Sequence, residues 1–302
     1  MNGVIKKAFT LIELLVVIAI IGILSGLIIV TMNGMTNKAN IAKAQVFSNS
    51  LRSTLMMRTI AQYTFDDITD YDPATKIINS TGGNIPDSWS DNEGRAYNNP
   101  ILKDGNDCIS DKCVSFDGAD DYIELPDSPD LRLTTGGTIS AWIYPKSLGE
   151  SAGRLIDKGV DLSMTNGYGI FIGANNYISM KVNAVATQTV SSNNSVTFNQ
   201  WQLVTITFNN YGRKIYINGI DKTSSGGTQT ALPPNVAGST RIGQRAGATD
   251  RTFDGLIDDI RIYNATIPTS QIKEQYYAGL NSLLNSGRIN KEEYQNRLVG
   301  MK

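Results

Sequence analysis

Histidine is absent from the whole chain. That absence excludes Ser-His-Asp and Cys-His catalysis and removes the commonest transition-metal ligand. Cysteine is nearly absent: Cys108 and Cys113 are the only two, with four residues between them. Two thiols without histidine are too few donors for a metal site. Their spacing fits a small disulfide loop in an oxidising compartment, with two free thiols as the alternative. No pair of glutamates stands at a short even spacing on one strand. Glu93, Glu124 and Glu150 are scattered, whereas glycoside hydrolysis needs two carboxylates about 5 or 6.5–9.5 Å apart. Gly82-Gly83, Gly136-Gly137 and Gly226-Gly227 are turn glycines outside any phosphate-loop or dinucleotide pattern. No enzymatic activity is expected from these residues.

Between Lys7 and Lys38 the only charge of either sign is Glu13. Leu14 to Val30 is a run of 17 residues that are all apolar, Gly or Ser, and Leu11 to Met32 is a run of 22 with Glu13 as its only charge. That length crosses roughly 30 Å of hydrocarbon as a helix. A secretory signal would be shorter and followed by small-residue cleavage spacing, but here the small residue Ala8 precedes the run. A lone carboxylate at that depth is costly unless paired, which marks Glu13 as functional. Lys6 and Lys7 put the leader in the cytoplasm and everything after Met32 outside.

In register, Lys6-Lys7-Ala8-Phe9-Thr10-Leu11-Ile12-Glu13 with the following apolar helix resembles the N-terminus of type IV pilins and pseudopilins. The resemblance implies that a prepilin peptidase removes the leader, residues 1–8, between Ala8 and Phe9. Phe9 then becomes an N-methylated terminus. It also implies that Phe9, Thr10 and Glu13 serve assembly, with Glu13 pairing the Phe9 amine of a neighbouring subunit. Two positions depart from the family pattern. Ala8 stands where Gly is usual, and Val30 lies near where many pilins carry a helix-breaking Pro. Gly22, Gly26 and Gly34 offer flexibility or close helix contacts instead.

The net charge of −1 hides a split between the two ends of the chain. Residues 1–65 carry six basic residues against Glu13 alone, a net of +5, while the rest carries 21 basic and 27 acidic residues, a net of −6. An exterior without clustered cations is not expected to bind nucleic acid. After Met32, Ile41, Ala44, Phe47, Leu51 and Leu55 form an apolar stripe at helical spacing. One helix over 9–60, with 11–32 membrane-spanning and the remainder amphipathic, would be about 78 Å long.

From Tyr63 the texture becomes short alternating strands separated by Gly, Asn, Asp and Ser. In Thr138–Tyr144, Ile139, Ala141 and Ile143 alternate with Ser140, Trp142 and Tyr144. In Tyr177–Val182, Ile178, Met180 and Val182 alternate with Ser179 and Lys181. Asn218-Gly219 is a tight hairpin signal. Ser115–Pro126, Ser140–Pro145, Trp201–Val204, Ile215–Gly219 and Asp254–Asn264 together resemble a laminin-G-like, concanavalin A-type jelly roll over 61–278. The resemblance implies a first strand at Tyr63–Asp67. Residues 69–107 match it poorly and, being rich in Asn, Asp, Gly and Pro, read as an elaborated loop held by the cysteines.

The tail reads as a helical hairpin, with 279–302 as a C-terminal extension. Ser270 is the expected cap of its first helix, and Asn290 with Glu293 the capping-box start of the second. The fold class is thus a long N-terminal α-helix, an all-β jelly-roll sandwich and a short C-terminal helical hairpin.

The jelly-roll resemblance places Asp117, Asp120 and Asp121 near Asp258 and Asp259, an oxygen-rich set suited to structural calcium. The plainer reading is Asx turns and strand ends. No other cofactor is indicated. Trp142 and Trp201 fall in strand patterns and are expected to pack, whereas Trp89 lies in a polar loop. The expected function is a structural subunit of a type IV pilus or related pseudopilus that displays the jelly-roll head. The alternative is a minor pilin or membrane-tethered adhesin whose head binds glycan or protein. The expected partners are other pilin subunits, the prepilin peptidase and the inner membrane. The expected location is a single-pass membrane protein before assembly and a surface filament afterwards.

Overall fold

The computed structural model describes residues 58–78, 84–159, 167–183 and 188–300. The chain divides into two units, Met1–Met56 and Met57–Lys302, and the described residues belong to the second. The leader, the membrane span 11–32 and the stripe at 41–55 lie outside the described residues. Among those described, no helix is long and apolar enough to cross a membrane.

The strands in chain order are β1 (Thr59–Tyr63), β2 (Asn84–Ile85), β3 (Gly94–Tyr97), β4 (Ile101–Asp104), β5 (Lys112–Asp117), β6 (Tyr122–Leu125), β7 (Gly137–Pro145), β8 (Arg154–Lys158) and β9 (Tyr168–Gly173). They continue with β10 (Tyr177–Val182), β11 (Thr189–Ser191), β12 (Gln202–Asn209), β13 (Gly212–Ile217), β14 (Ile220–Asp221), β15 (Thr223–Ser225), β16 (Thr240–Ile242) and β17 (Asp254–Tyr263). Two helices follow, α1 (Thr269–Asn285) and α2 (Lys291–Val299). One sheet runs β14-β13-β12-β7-β17-β5-β4 with β1 also on β17, and the other runs β15-β11-β10-β9-β8-β16-β6-β3-β2.

Strand alternation explains the layers. Ile139, Ala141 and Ile143 of β7 join Val204, Ile206 and Phe208 of β12 in the core between the sheets. From the opposite face of the first sheet, Trp142, Leu203 and Leu256 enter a second core with Tyr276, Leu280 and Leu283 of α1. The central strands are therefore buried on both faces. Trp142 stacks on Tyr276 with ring centroids 5.7 Å apart. Gly279 lets α1 approach, since a Cβ there would lie 2.2 Å from Trp142 Cζ2.

Several expectations hold at residue level. Asn218 and Gly219 adopt φ of 54° and 77° in the turn between β13 and β14, as a type I′ turn requires. The Asn290 side chain accepts a hydrogen bond from Glu293 N at 2.8 Å. Cys108 and Cys113 form a disulfide.

Four expectations change. The first strand is Thr59–Tyr63 rather than 63–67, because Phe65 takes φ of 63° and turns the chain while its ring enters the core. Thr59 and Ile60, expected to end a helix, already belong to that strand. Residues 69–107 are not one loop, since β2 and β3 extend the second sheet and β4 pairs with β5. Strands of two to four residues are too short to show an alternation, and the cystine closes the later β4–β5 connection. Finally, α1 begins at Thr269 with Pro268 rather than Ser270 as its cap. A boundary at 278/279 would therefore cut the helix in the middle.

Candidate functional site

The turn between β5 and β6 gathers the acidic residues. Asp117, Asp120 and Asp121 each place a carboxylate oxygen within 4.8 Å of the others. Asp117 Oδ1 accepts from Ala119 N at 2.8 Å, an Asx turn. Asp121 Oδ2 accepts from Asp117 N at 3.0 Å, while Asp121 Oδ1 is buried and without a partner among the described residues. Asp121 is only 3% exposed. Burial, followed by the charge of Asp117, pushes its carboxyl up to about 7. Neighbouring backbone oxygens are held in place. Asn98 Nδ2 donates to Asp120 O at 2.9 Å, and Thr252 Oγ1 donates to Gly118 O at 2.6 Å. The bond from Ala119 to Asp117 is that of an Asx turn, and the Asp121 oxygen left over is a hard oxygen of the kind Ca²⁺ takes as a ligand.

Asp258 and Asp259 do not join this group. Strand β17 pairs Asp254 with Asp117 and Ile257 with Val114, so Asp258 is carried about 13 Å down the strand, at a rise of about 3.3 Å per residue. Its Oδ2 accepts from Ile109 N at 2.8 Å and Ser110 N at 3.1 Å, inside the cystine loop. It is fully buried, and burial followed by the charge of Asp259 pushes its carboxyl up to about 8. Asp259 sits in a bulge at φ of 44° and forms an ion pair with Arg261 at 2.8 Å. Both β17 aspartates thus already have protein partners. The jelly-roll resemblance implied a shared site, but strand register separates them.

The remaining sequence candidates fall into place. Trp142 and Trp201 are buried, and Trp89 is 38% exposed. Glu93 and Glu124, scattered in sequence, line one open cleft of about 710 Å³ with Asp91, Arg95 and Tyr97. Glu124 is held by Arg241 at 3.0 Å. Ala8, Phe9, Thr10 and Glu13 lie outside the described residues.

Residues 117–273 match the concanavalin A-like lectin/glucanases superfamily, over half of the chain. The chain belongs to that superfamily. Residues 5–29 match the prokaryotic N-terminal methylation motif, so the jelly roll follows a type IV pilin N-terminus. No curated protein sequence matches the chain.

Among solved structures, domain 4 of an extracellular arabinanase from Geobacillus stearothermophilus, in complex with arabinotriose, is similar at 21% identity and a TM-score of 0.50. That match covers 72% of this chain and 97% of that one. The binding domain of botulinum neurotoxin serotype D is similar at 17% identity and a TM-score of 0.54, covering 75% and 53%. Trypanosoma rangeli sialidase is similar at 14% identity and a TM-score of 0.53, covering 73% and 33%. The chain thus spans about half of the neurotoxin domain's length and a third of the sialidase's. At these identities the likeness concerns the fold.

Proposed function

We propose that this chain is a structural subunit of a type IV pilus or related filament, displaying a jelly-roll head at the cell surface. The observation that carries the reading is Glu13, the single charge in a 22-residue apolar span, inside the matched methylation motif. In a filament core, pairing Glu13 with a neighbour's Phe9 amine neutralises two charges at once and sets the axial register. Breaking a buried pair costs about 3–5 kcal/mol, because the remaining charge is left uncompensated. The reading contains no catalytic step, in keeping with a chain that lacks histidine.

Subunits sheared from cells are expected to begin at Phe9 and to carry an added methyl mass. Glu13→Ala is expected to insert in the membrane with a folded head yet to be missing from sheared filaments. Retention of Met1 in the intact mass, or normal incorporation of the variant, would overturn the reading.

Structural calcium is proposed for the head, at Asp117, Asp120 and Asp121, on the strength of the unpartnered Asp121 Oδ1. A ligand bound only by the folded state at 100 times its Kd stabilises it by about 2.7 kcal/mol. Full-length protein in detergent should therefore melt several degrees higher in millimolar Ca²⁺ and return to its starting point with chelator. Asp121→Asn should abolish the response, whereas Asp259→Asn should keep it. Identical wild-type melting curves with and without Ca²⁺ would rule the site out.

A further inference from the structure

The helical hairpin encloses a second cleft that the filament reading leaves unused. About 380 Å³ in volume, it lies between Tyr144 of β7 and Trp201 just before β12 on one side and Leu283, Arg288 and Ile289 of the hairpin on the other. A cleft of that size suits a single small ligand.

Its two arginines differ. Arg297 is saturated, with Nη2 and Nε on Glu293 Oε1 at 2.6 and 3.1 Å and Nη1 on Trp201 O at 3.1 Å. Arg288 is not. Its side chain is 15% exposed, and the carboxylate paired with it, Asp107, lies 3.6 Å away and is itself largely in solvent. Arg288 Nε is buried with no hydrogen-bond partner among the described residues. Burial lowers the basicity of this guanidinium, and Asp107 only partly restores it. A desolvated, incompletely bonded guanidinium is costly in a finished interior, because buried polar groups are normally paired. In a cleft it is a fork suited to two carboxylate oxygens.

The other walls narrow the ligand class. The Tyr144 ring is half-buried and held edge-on by Trp201, with centroids 5.8 Å apart at 62°. It offers an aromatic surface for the apolar face of a ring. Asn106, Asn199 and Gln200 line the rim with amides, which both donate to and accept from hydroxyl groups. A fatty acid would find too few apolar walls here. A neutral sugar would leave Arg288 unpaired.

We infer that the cleft beneath the helical hairpin binds a carboxylate-bearing sugar, a hexuronic acid residue, with Arg288 on the carboxylate, Tyr144 under the ring and the rim amides on its hydroxyls. This binding does not depend on filament assembly, so Glu13→Ala protein should retain it.

The test is calorimetric and ligand-detected NMR titration of the full-length protein in detergent. The probes are glucuronic and galacturonic acid, with glucose and galactose as neutral counterparts and acetate as a carboxylate without a ring. At least one uronic acid should bind saturably and at least tenfold more tightly than its neutral counterpart and than acetate. Arg288→Gln should erase the advantage over the neutral sugar. The backbone bond from Arg288 N to Leu283 O at 2.9 Å needs no side chain, so the variant should fold and melt no lower than wild type. Tyr144→Ala should weaken sugar and sugar acid alike. Absence of saturable uronic-acid binding, equal binding of acetate, or an undiminished uronic-acid preference in Arg288→Gln would overturn the assignment.

Discussion

Replacing Gly279 with alanine should destabilise the head, the reverse of what the same change does in an exposed helix. Glycine to alanine in a helix interior ordinarily gains about 0.8–1 kcal/mol. Here the added Cβ would fall 2.2 Å from Cζ2, 2.5 Å from Cε2 and 2.8 Å from Nε1 of Trp142. The indole has no room to retreat. It is 1% exposed, sits on the central strand β7 and stacks on Tyr276 of the same helix. Overpacking of a tight core costs about 1–3 kcal/mol, so denaturant titration should show a lower midpoint with an unchanged slope. Gly279→Leu should cost more and lift α1 off the sheet, with loss of the near-ultraviolet signal of the stacked ring. A raised midpoint for Gly279→Ala would show that α1 does not dock on Trp142.

The second large effect concerns pH. Asp258 is pushed up to about 8 by burial and then by Asp259, although the amides of Ser110 and Ile109 pull the other way. An unfolded aspartate titrates near 3.9. Between about pH 4 and 8 the folded state therefore holds a proton that the unfolded state has released. Stability from this group is fully present below pH 4, falls as pH rises and is flat again above about 8. Each pKa unit corresponds to about 1.4 kcal/mol, so the loss across the window is on the order of 6 kcal/mol, about 4 of it between pH 5 and 8. Asp121, at about 7, and buried Asp157, at about 6, slope in the same direction. The informative quantity is thus the difference between wild type and Asp258→Asn. Asparagine keeps an acceptor for the cystine-loop amides and carries no titrating proton. The two proteins should match near pH 5, and the variant should be the more stable at pH 9, by on the order of ten degrees at about 2–4 °C per kcal/mol. Parallel melting temperatures across that range would show that Asp258 is ionised throughout.

Local periodicity decided much of this molecule. The alternation Ile139, Ala141, Ile143 against Ser140, Trp142, Tyr144 specified a strand and its two faces, because successive side chains point to opposite sides. Asn218-Gly219 specified a turn, since both positions need a positive φ. Asn290 and Glu293 specified a helix start three residues long. The apolar span with its one carboxylate specified the pilin-type N-terminus, because insertion and cleavage are read from a linear segment. Each of these signals acts between residues a few positions apart.

What the sequence left open depends on residues far apart along the chain. Alternation put Trp142 and Trp201 on strand faces. Only the docking of α1 showed that they fill a second core beneath the helices rather than the space between the sheets. Asp117 and Asp258 looked like members of one site until the β5–β17 register put them at opposite ends of β5. Arg288 drew no notice in the sequence, because an arginine after a helix is ordinarily solvated. It becomes a candidate binding group only when the hairpin folds over Tyr144 and Trp201 and takes most of its surface out of water. Burial and register are sums over the whole chain, and no short window of residues contains them.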